Sequence, residues 1–249
     1  MNNQVLIEVC VDSVASAVAA ERGGAGRIEV CSALIEGGVT PSSGLVEAVR
    51  ERSSIAVHVM IRPRGGDFCY DADEFQIMRW DIDVAKRQGV DGVVFGLLDT
   101  DGNVDLVRTR ELVALARPLS VTFHRAFDMT ADLFRALEDV DAAGADRVLT
   151  SGGEQTCVQG SQAIARLVQT AGDRMVVMPG SGIQPGNVRS VLEQTGAKEV
   201  HVGLRSSIPS PMVHRNSRVS MGTIEGREYE RSVVLEENVR QLNRAARGE

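Results

Sequence analysis

The stretch AGADRVLTSG, Ala143 to Gly152, decides the fold because the chain echoes it three more times. GGAGRIEVCS begins at Gly23, QGVDGVVFGL at Gln88 and TGAKEVHVGL at Thr195. In each, a glycine closes what precedes as a helix, a small residue lets the chain turn tightly, and a short apolar run opens as a strand. An echo at this spacing reads as the quarter-turns of a closed repeat, with each copy opening an even-numbered strand.

Working outward, eight runs rich in Val, Ile and Leu read as strands: Val5 to Cys10, Arg27 to Cys31, Ala56 to Arg62, Gly92 to Leu98, Ser120 to Phe127, Arg147 to Ser151, Met175 to Met178 and Glu199 to Gly203. Between them lie segments with apolar residues at helical intervals, among them Ser13 to Arg22, Leu45 to Arg52, Asp73 to Gln88, Leu133 to Ala143 and Gln162 to Thr170. Strict alternation of strand and helix demands a parallel sheet, and eight repeats in 249 residues fit a single (βα)8 TIM barrel of the α/β class spanning 1–249. One segment breaks the rhythm. Ser206 to Arg231 is long and polar, lies between the eighth strand and the last helix, and is expected to be a lid, a subunit contact or a passive insertion.

Composition narrows the function. Hydrophobic residues at 43% and charged residues at 24% are those of an ordinary globular chain, large enough to bury a core without disulfides. A net charge of -7 argues against a basic footprint for nucleic acid. No apolar run approaches the roughly 18 residues of a spanning helix, and MNNQVLIEVC has no basic segment before its apolar run, so the expectation is a cytoplasmic protein without membrane attachment. The four cysteines, Cys10, Cys31, Cys69 and Cys157, include no CxxC pair, which excludes a zinc ribbon and leaves reduced thiols.

Alternation along a strand sorts the polar residues by destination. Glu8 shares parity with Cys10, Glu29 with Cys31, His58 with Met60 and Arg62, His124 with Asp128, and His201 with Gly203 and Arg205. Facing inward, they would fill with charge a barrel core that is usually apolar. Such burial is costly unless the charges are paired or used. Glu8, Glu29, His58, His124, Asp128 and His201 are therefore candidate acid–base groups; the imidazoles suit proton transfer or metal ligation equally, and a self-satisfied Glu–Arg network is the structural alternative.

Two anion sites are expected. In MIRPRGGDFCY, Met60 to Tyr70, the planar forks of Arg62 and Arg64 stand beside a Gly-Gly pair that allows close backbone approach. The late loops add Ser151 and Gly152 after the sixth strand and Gly180 and Gly182 in MPGSGI, with Arg125 and Arg205 as further cations. Simple glycine turns with solvated arginines would look the same. For metal, Cys10 and Cys31 end adjacent strands about 4.8 Å apart, and two thiolates with the Met60 thioether suit soft Cu(I); equally, cysteine serves as a small buried hydrophobe.

EVCVDS at Glu8 to Ser13, EGGVTPS at Glu36 to Ser42, IRPRGGDF at Ile61 to Phe68, TFHRAFDM at Thr122 to Met129 and LTSGG at Leu149 to Gly153 together resemble the CutC copper-homeostasis family. MPGSGI at Met178 to Ile183 and PMVHRN at Pro211 to Asn216 extend the likeness over nearly the whole chain. The resemblance implies a cytoplasmic (βα)8 barrel that forms homo-oligomers and handles copper, with Cys10 and Cys31 at the positions of the family's copper cysteines. It also implies a pocket of Glu8, Glu29, His58, Arg62, His124, Arg125, Asp128 and His201. Two functions stand open: Cu(I) binding through cysteine, or an isomerase, lyase or hydrolase acting by acid–base chemistry on a small anionic metabolite.

Overall fold

The computed structural model describes residues 5–221 and 226–249. Strands β1 (Leu6–Val11), β2 (Arg27–Val30), β3 (Ala56–Met60), β4 (Gly92–Phe95), β5 (Ser120–Phe123), β6 (Arg147–Thr150), β7 (Val176–Pro179) and β8 (Glu199–Val202) alternate with helices. The helices are α1 (Val14–Arg22), α2 (Ser43–Arg50), α3 (Ala72–Arg87), α4 (Leu106–Ala116), α5 (Leu133–Ala143), α6 (Ser161–Ala171) and α7 (Val188–Thr195), and α8 (Glu236–Arg247) closes the chain. The sheet runs in the order β7-β6-β5-β4-β3-β2-β1-β8, every pair parallel, so the strands wrap into a (βα)8 barrel whose last joint, β7 against β8, has no registered ladder. Among the described residues no helix is long and apolar enough to cross a membrane.

Local chemistry sets the helix ends. Side-chain oxygens of Ser13, Ser42, Asp71, Asp105 and Asp132 accept backbone N–H groups at the starts of α1 to α5, with a full capping box between Asp71 and Glu74. Gly144 and Gly196, two of the echoed glycines, end α5 and α7 in the left-handed conformation that an L side chain resists.

The pleat then separates two interiors. Ile7, Val9 and Val11, with their equivalents Ile28, Val57, Val59, Val93, Val121, Val148 and Val200, face the helices and form the main apolar core. Residues of the opposite parity face the barrel axis. There the only apolar cluster among the described residues is small: Cys10, Cys31, Met60 and Val94, with Leu34 against it.

Strand lengths differ from the sequence reading. β3 stops at Met60 rather than Arg62, β4 at Phe95 rather than Leu98, and β5 at Phe123 rather than Phe127, where a 3-10 turn runs over Arg125–Met129. Ile61, Leu97, Leu98, Ala126 and Phe127 join the main core from beyond the strand ends, and an apolar run cannot tell such burial from a continued strand. The segment 206–231 is also more ordered than expected at its ends, where β9 (Arg205–Pro209) and β10 (Glu230–Val234) pair antiparallel as a ribbon outside the barrel. None of its described residues lines the barrel's cavity.

Candidate functional site

Inside the barrel the lowest layer is a closed ion network. Arg27 donates from Nε to Glu8 and from Nη2 to Glu199 at 2.5 Å; Arg147 donates to Glu199 at 2.6 and 3.2 Å and to the Thr122 hydroxyl at 3.2 Å. Arg27, Arg147 and Glu199 occupy one and the same step of three echoed segments, and Gly92 holds that step in the fourth. Parity, carried two residues down from Glu29, Leu149 and His201, marks all three as inward, yet sequence reasoning did not include them. Gly92 is there for space, since a Cβ would meet the His58 ring at 2.5 Å.

Glu8 links this floor to the layer above. Its second oxygen takes the Nδ1 hydrogen of His201 at 2.7 Å, and His58 Nδ1 stands 4.0 Å away. Burial alone would raise the Glu8 pKa, but Arg27, His201 and His58 outweigh it and hold the carboxylate well below its usual range. Burial works against a charged His201 as well; there Glu29, Cys10 and Glu8 win, and the imidazolium is favoured. His58, with Glu8 only at 4.0 Å to oppose it, is pushed down to about 4, first by burial and then by Arg27 and Arg147.

The thiols sit next. Cys10 and Cys31 bring their sulfurs to 3.1 Å, Cys10 Sγ donates to Glu29 Oε1 at 3.6 Å, and Cys31 Sγ donates to the Val11 carbonyl at 3.6 Å. Two sets of potential ligand atoms lie within 4.8 Å of one another: Cys10, Glu29 and Cys31, and Glu8, Glu29 and His201. Glu29 is raised to about 7, by burial first and by neighbouring Glu8, while His201 opposes; its Oε2 has no hydrogen-bond partner. The Cys10 thiol is pushed well up by its bond with Cys31 and by burial.

Above these groups opens a cavity of about 510 Å³ at the carboxyl ends of the strands. Cys10, Glu29, Met60, Arg62, His124 and His201 line it, Arg125 and Asp128 form part of the rim, and Leu34, Phe68, Leu149 and Leu204 supply apolar wall. A hollow of similar size, about 530 Å³, lies among β3, α2 and α3 and shares only Arg62 with these groups.

The anion candidates sort differently from the sequence expectation. Arg64 is turned to Glu74 at 2.5 Å and Asp67 at 3.1 Å and does not line the cavity. Arg205 binds Asp12 at 2.6 Å and follows β9 away, because the left-handed Leu204 breaks the strand and with it the alternation that placed Arg205 beside His201. Asp128 lies on the 3-10 turn after His124 and still borders the cavity. Its carboxylate accepts from Thr150 Oγ1, Ser151 N and Oγ, and Gly153 N. The loop read as a phosphate cradle thus has Ser151 N and Gly153 N spent on an internal carboxylate, and Gly152 N on Thr150 Oγ1 at 2.9 Å. Gly180 N is spent on the Thr150 carbonyl, while Gly182 stays on the cavity wall. Arg125 pairs with Asp128 at 2.8 Å and with Ser151 Oγ at 2.8 Å.

Comparison with known proteins places this geometry. The sequence profile of the CutC family matches residues 5–206, ending where the outer ribbon begins. A mouse protein described as a copper homeostasis protein cutC homolog is 52% identical over 98% of this chain and 90% of its own length, and its human counterpart is 50% identical over the same shares. A CutC family protein of Chromobacterium violaceum is 47% identical over 96% of this chain and 97% of its own. Among solved structures, the CutC copper homeostasis protein of Streptococcus agalactiae superposes with a TM-score of 0.75 at 30% identity, over 80% of this chain and 98% of that one. Thiamine phosphate pyrophosphorylase of Pyrococcus furiosus, at 17% identity and a TM-score of 0.59 over 99% and 97% of the two chains, shares the fold alone.

Proposed function

This chain belongs to the CutC family of copper homeostasis, and on that premise we propose that it holds Cu(I) between Cys10 and Cys31, with Met60 supplying a thioether. The observation that carries the reading is the contact of the two thiols, 3.1 Å apart, packed against Met60, Val94 and Leu34 with the Glu29 carboxyl 3.6 Å from Cys10 Sγ. Sulfur donors match a soft monovalent ion. The donor set fits on position too: Met60 Cε and Cys31 Sγ lie 3.4 and 3.7 Å from the one point where a Gly38 side chain would begin, so the thioether end and the thiol are neighbours. Binding must displace thiol protons, because the ligand is the thiolate.

The test is an anaerobic titration of the reduced protein against a chromophoric Cu(I) competitor. Stoichiometric uptake that disappears in the Cys10→Ser, Cys31→Ser double variant is the expected result. Undiminished affinity in that variant rejects these ligands.

A second reading, acid–base catalysis on a small anionic metabolite, has its own observation in its favour. Glu8 orients His201 through Nδ1, and His201 lines a cavity of about 510 Å³, far more room than a bare ion needs. Loss of turnover in His201→Gln with Cu(I) affinity retained would separate the two readings.

A further inference from the structure

We infer that the cavity contains a carboxylate-binding subsite formed by Arg62 and His124. Arg62 is 4% exposed and forms no ion pair with a described carboxylate. It is pinned by the carbonyls of Glu36 at 2.7 Å, Gly38 at 2.9 Å and Gly66 at 2.7 Å, which use three of the five guanidinium hydrogens and leave Nε without an acceptor. The neighbouring phenol of Tyr70, pushed to about 12 by burial, stays neutral and does not balance the charge. The floor arginines differ, since both bind carboxylate oxygens. A cation buried this deeply calls for an anion.

His124 supplies the second group. Its Nδ1 accepts the Ala126 N–H at 3.2 Å, which puts the ring hydrogen on Nε2, and that nitrogen has no partner although the residue is only 4% exposed. Burial, then the charge of Arg62, lower its pKa to about 3, so it is a neutral donor at physiological pH. Position 96 is glycine, where a Cβ would stand 2.6 Å from Nδ1. The Phe68 ring touches both groups, 4.9 Å from Arg62 Cζ and 5.0 Å from the His124 centroid, and so sets their spacing.

All three residues line one cavity, so a ligand there meets one unbalanced positive charge and one neutral donor. That set suits a monocarboxylate, whose single charge and two acceptor oxygens it satisfies; a phosphate dianion would keep an uncompensated charge. Leu34, Met60, Leu149 and Leu204 on the remaining wall favour an apolar body on that carboxylate. Arg125, already neutralised by Asp128, is not part of the subsite. The inference deepens the second reading by naming the anchor of its metabolite; binding alone tests it, and turnover tests that reading.

The experiment is isothermal titration of the reduced, metal-free protein with butyrate, benzoate and inorganic phosphate. Saturable binding of butyrate or benzoate below about 10 mM, unaffected by phosphate, is expected. His124→Phe and Arg62→Met each weaken it about tenfold or more, while Arg135→Met, at an exposed arginine of α5 that does not line the cavity, leaves it intact. Because Arg62 pins three loop carbonyls, Arg62→Met is scored only if its thermal midpoint holds, and His124→Phe then carries the test by itself. Absence of saturation by both carboxylates, displacement by phosphate, or wild-type affinity in His124→Phe overturns the assignment.

Discussion

At the floor of the barrel, Arg27, Arg147, Glu8 and Glu199 exchange charge-assisted bonds, and Thr122 and His201 complete them. One step higher, Glu29 Oε2 and His124 Nε2 are buried without partners, and Arg62 carries a charge that only carbonyl dipoles face. The inward direction is the same in both places. What differs is closure: the ion-paired groups below complete one another, with only His58 Nδ1 beside Glu8 left over, whereas the upper ones leave several bonds open beside a cavity. An unsatisfied buried polar atom costs about 1–3 kcal/mol, which the upper layer would recover on meeting a ligand.

The sharpest way to break this comparison is to open the floor. Arg27→Met strands Glu8 and Glu199 in the core and is expected to cost about 3–5 kcal/mol in urea unfolding, whereas Glu29→Gln above it should cost under about 1 kcal/mol. Equal losses would erase the distinction between the layers. Next in size are the glycines that make room for rings. Gly92→Ala, forced against the fully packed His58, should destabilise by about 1–3 kcal/mol, and Gly96→Ala should fall at the low end of that range because His124 borders open space.

A further expected effect is a slope rather than a single loss. His124 has its pKa lowered to about 3 in the fold against 6.5 when free, so the unfolded chain takes up this proton first. Its contribution is fully present above pH 6.5 and is lost as the pH falls toward 3. Between pH 6.5 and 4, stability of the parent protein should therefore drop more steeply than that of His124→Phe, by about one proton's worth of slope, measured by unfolding at a series of pH values. Parallel profiles would mean that the ring is not held neutral.

The alternation of strand and helix was legible in the sequence because it rests on periodicity and on the echoed glycine turns, both local properties. Inward parity was legible for Glu8, Cys10, Glu29, Cys31, His58 and His201, which lie within or directly beside strands. It misled for Arg205, since alternation holds only while the backbone stays extended, and a left-handed Leu204 intervenes. Arg64 was misplaced for another reason: nothing in IRPRGGDF says that Glu74, on the first turn of α3, will claim it. Arg27, Arg147 and Glu199 were within reach of the parity rule but begin their strands, where a charged residue passes for the end of a loop.

The fourfold echo noted at the start has a practical meaning. Three of its copies carry Arg, Arg and Glu at the step where the fourth carries glycine, within an unchanged turn and an unchanged strand direction. Scaffold and payload are thus written by separate letters. The barrel behaves as four interchangeable sockets, each able to be rewired to a new chemistry while the frame that presents it stays as it is.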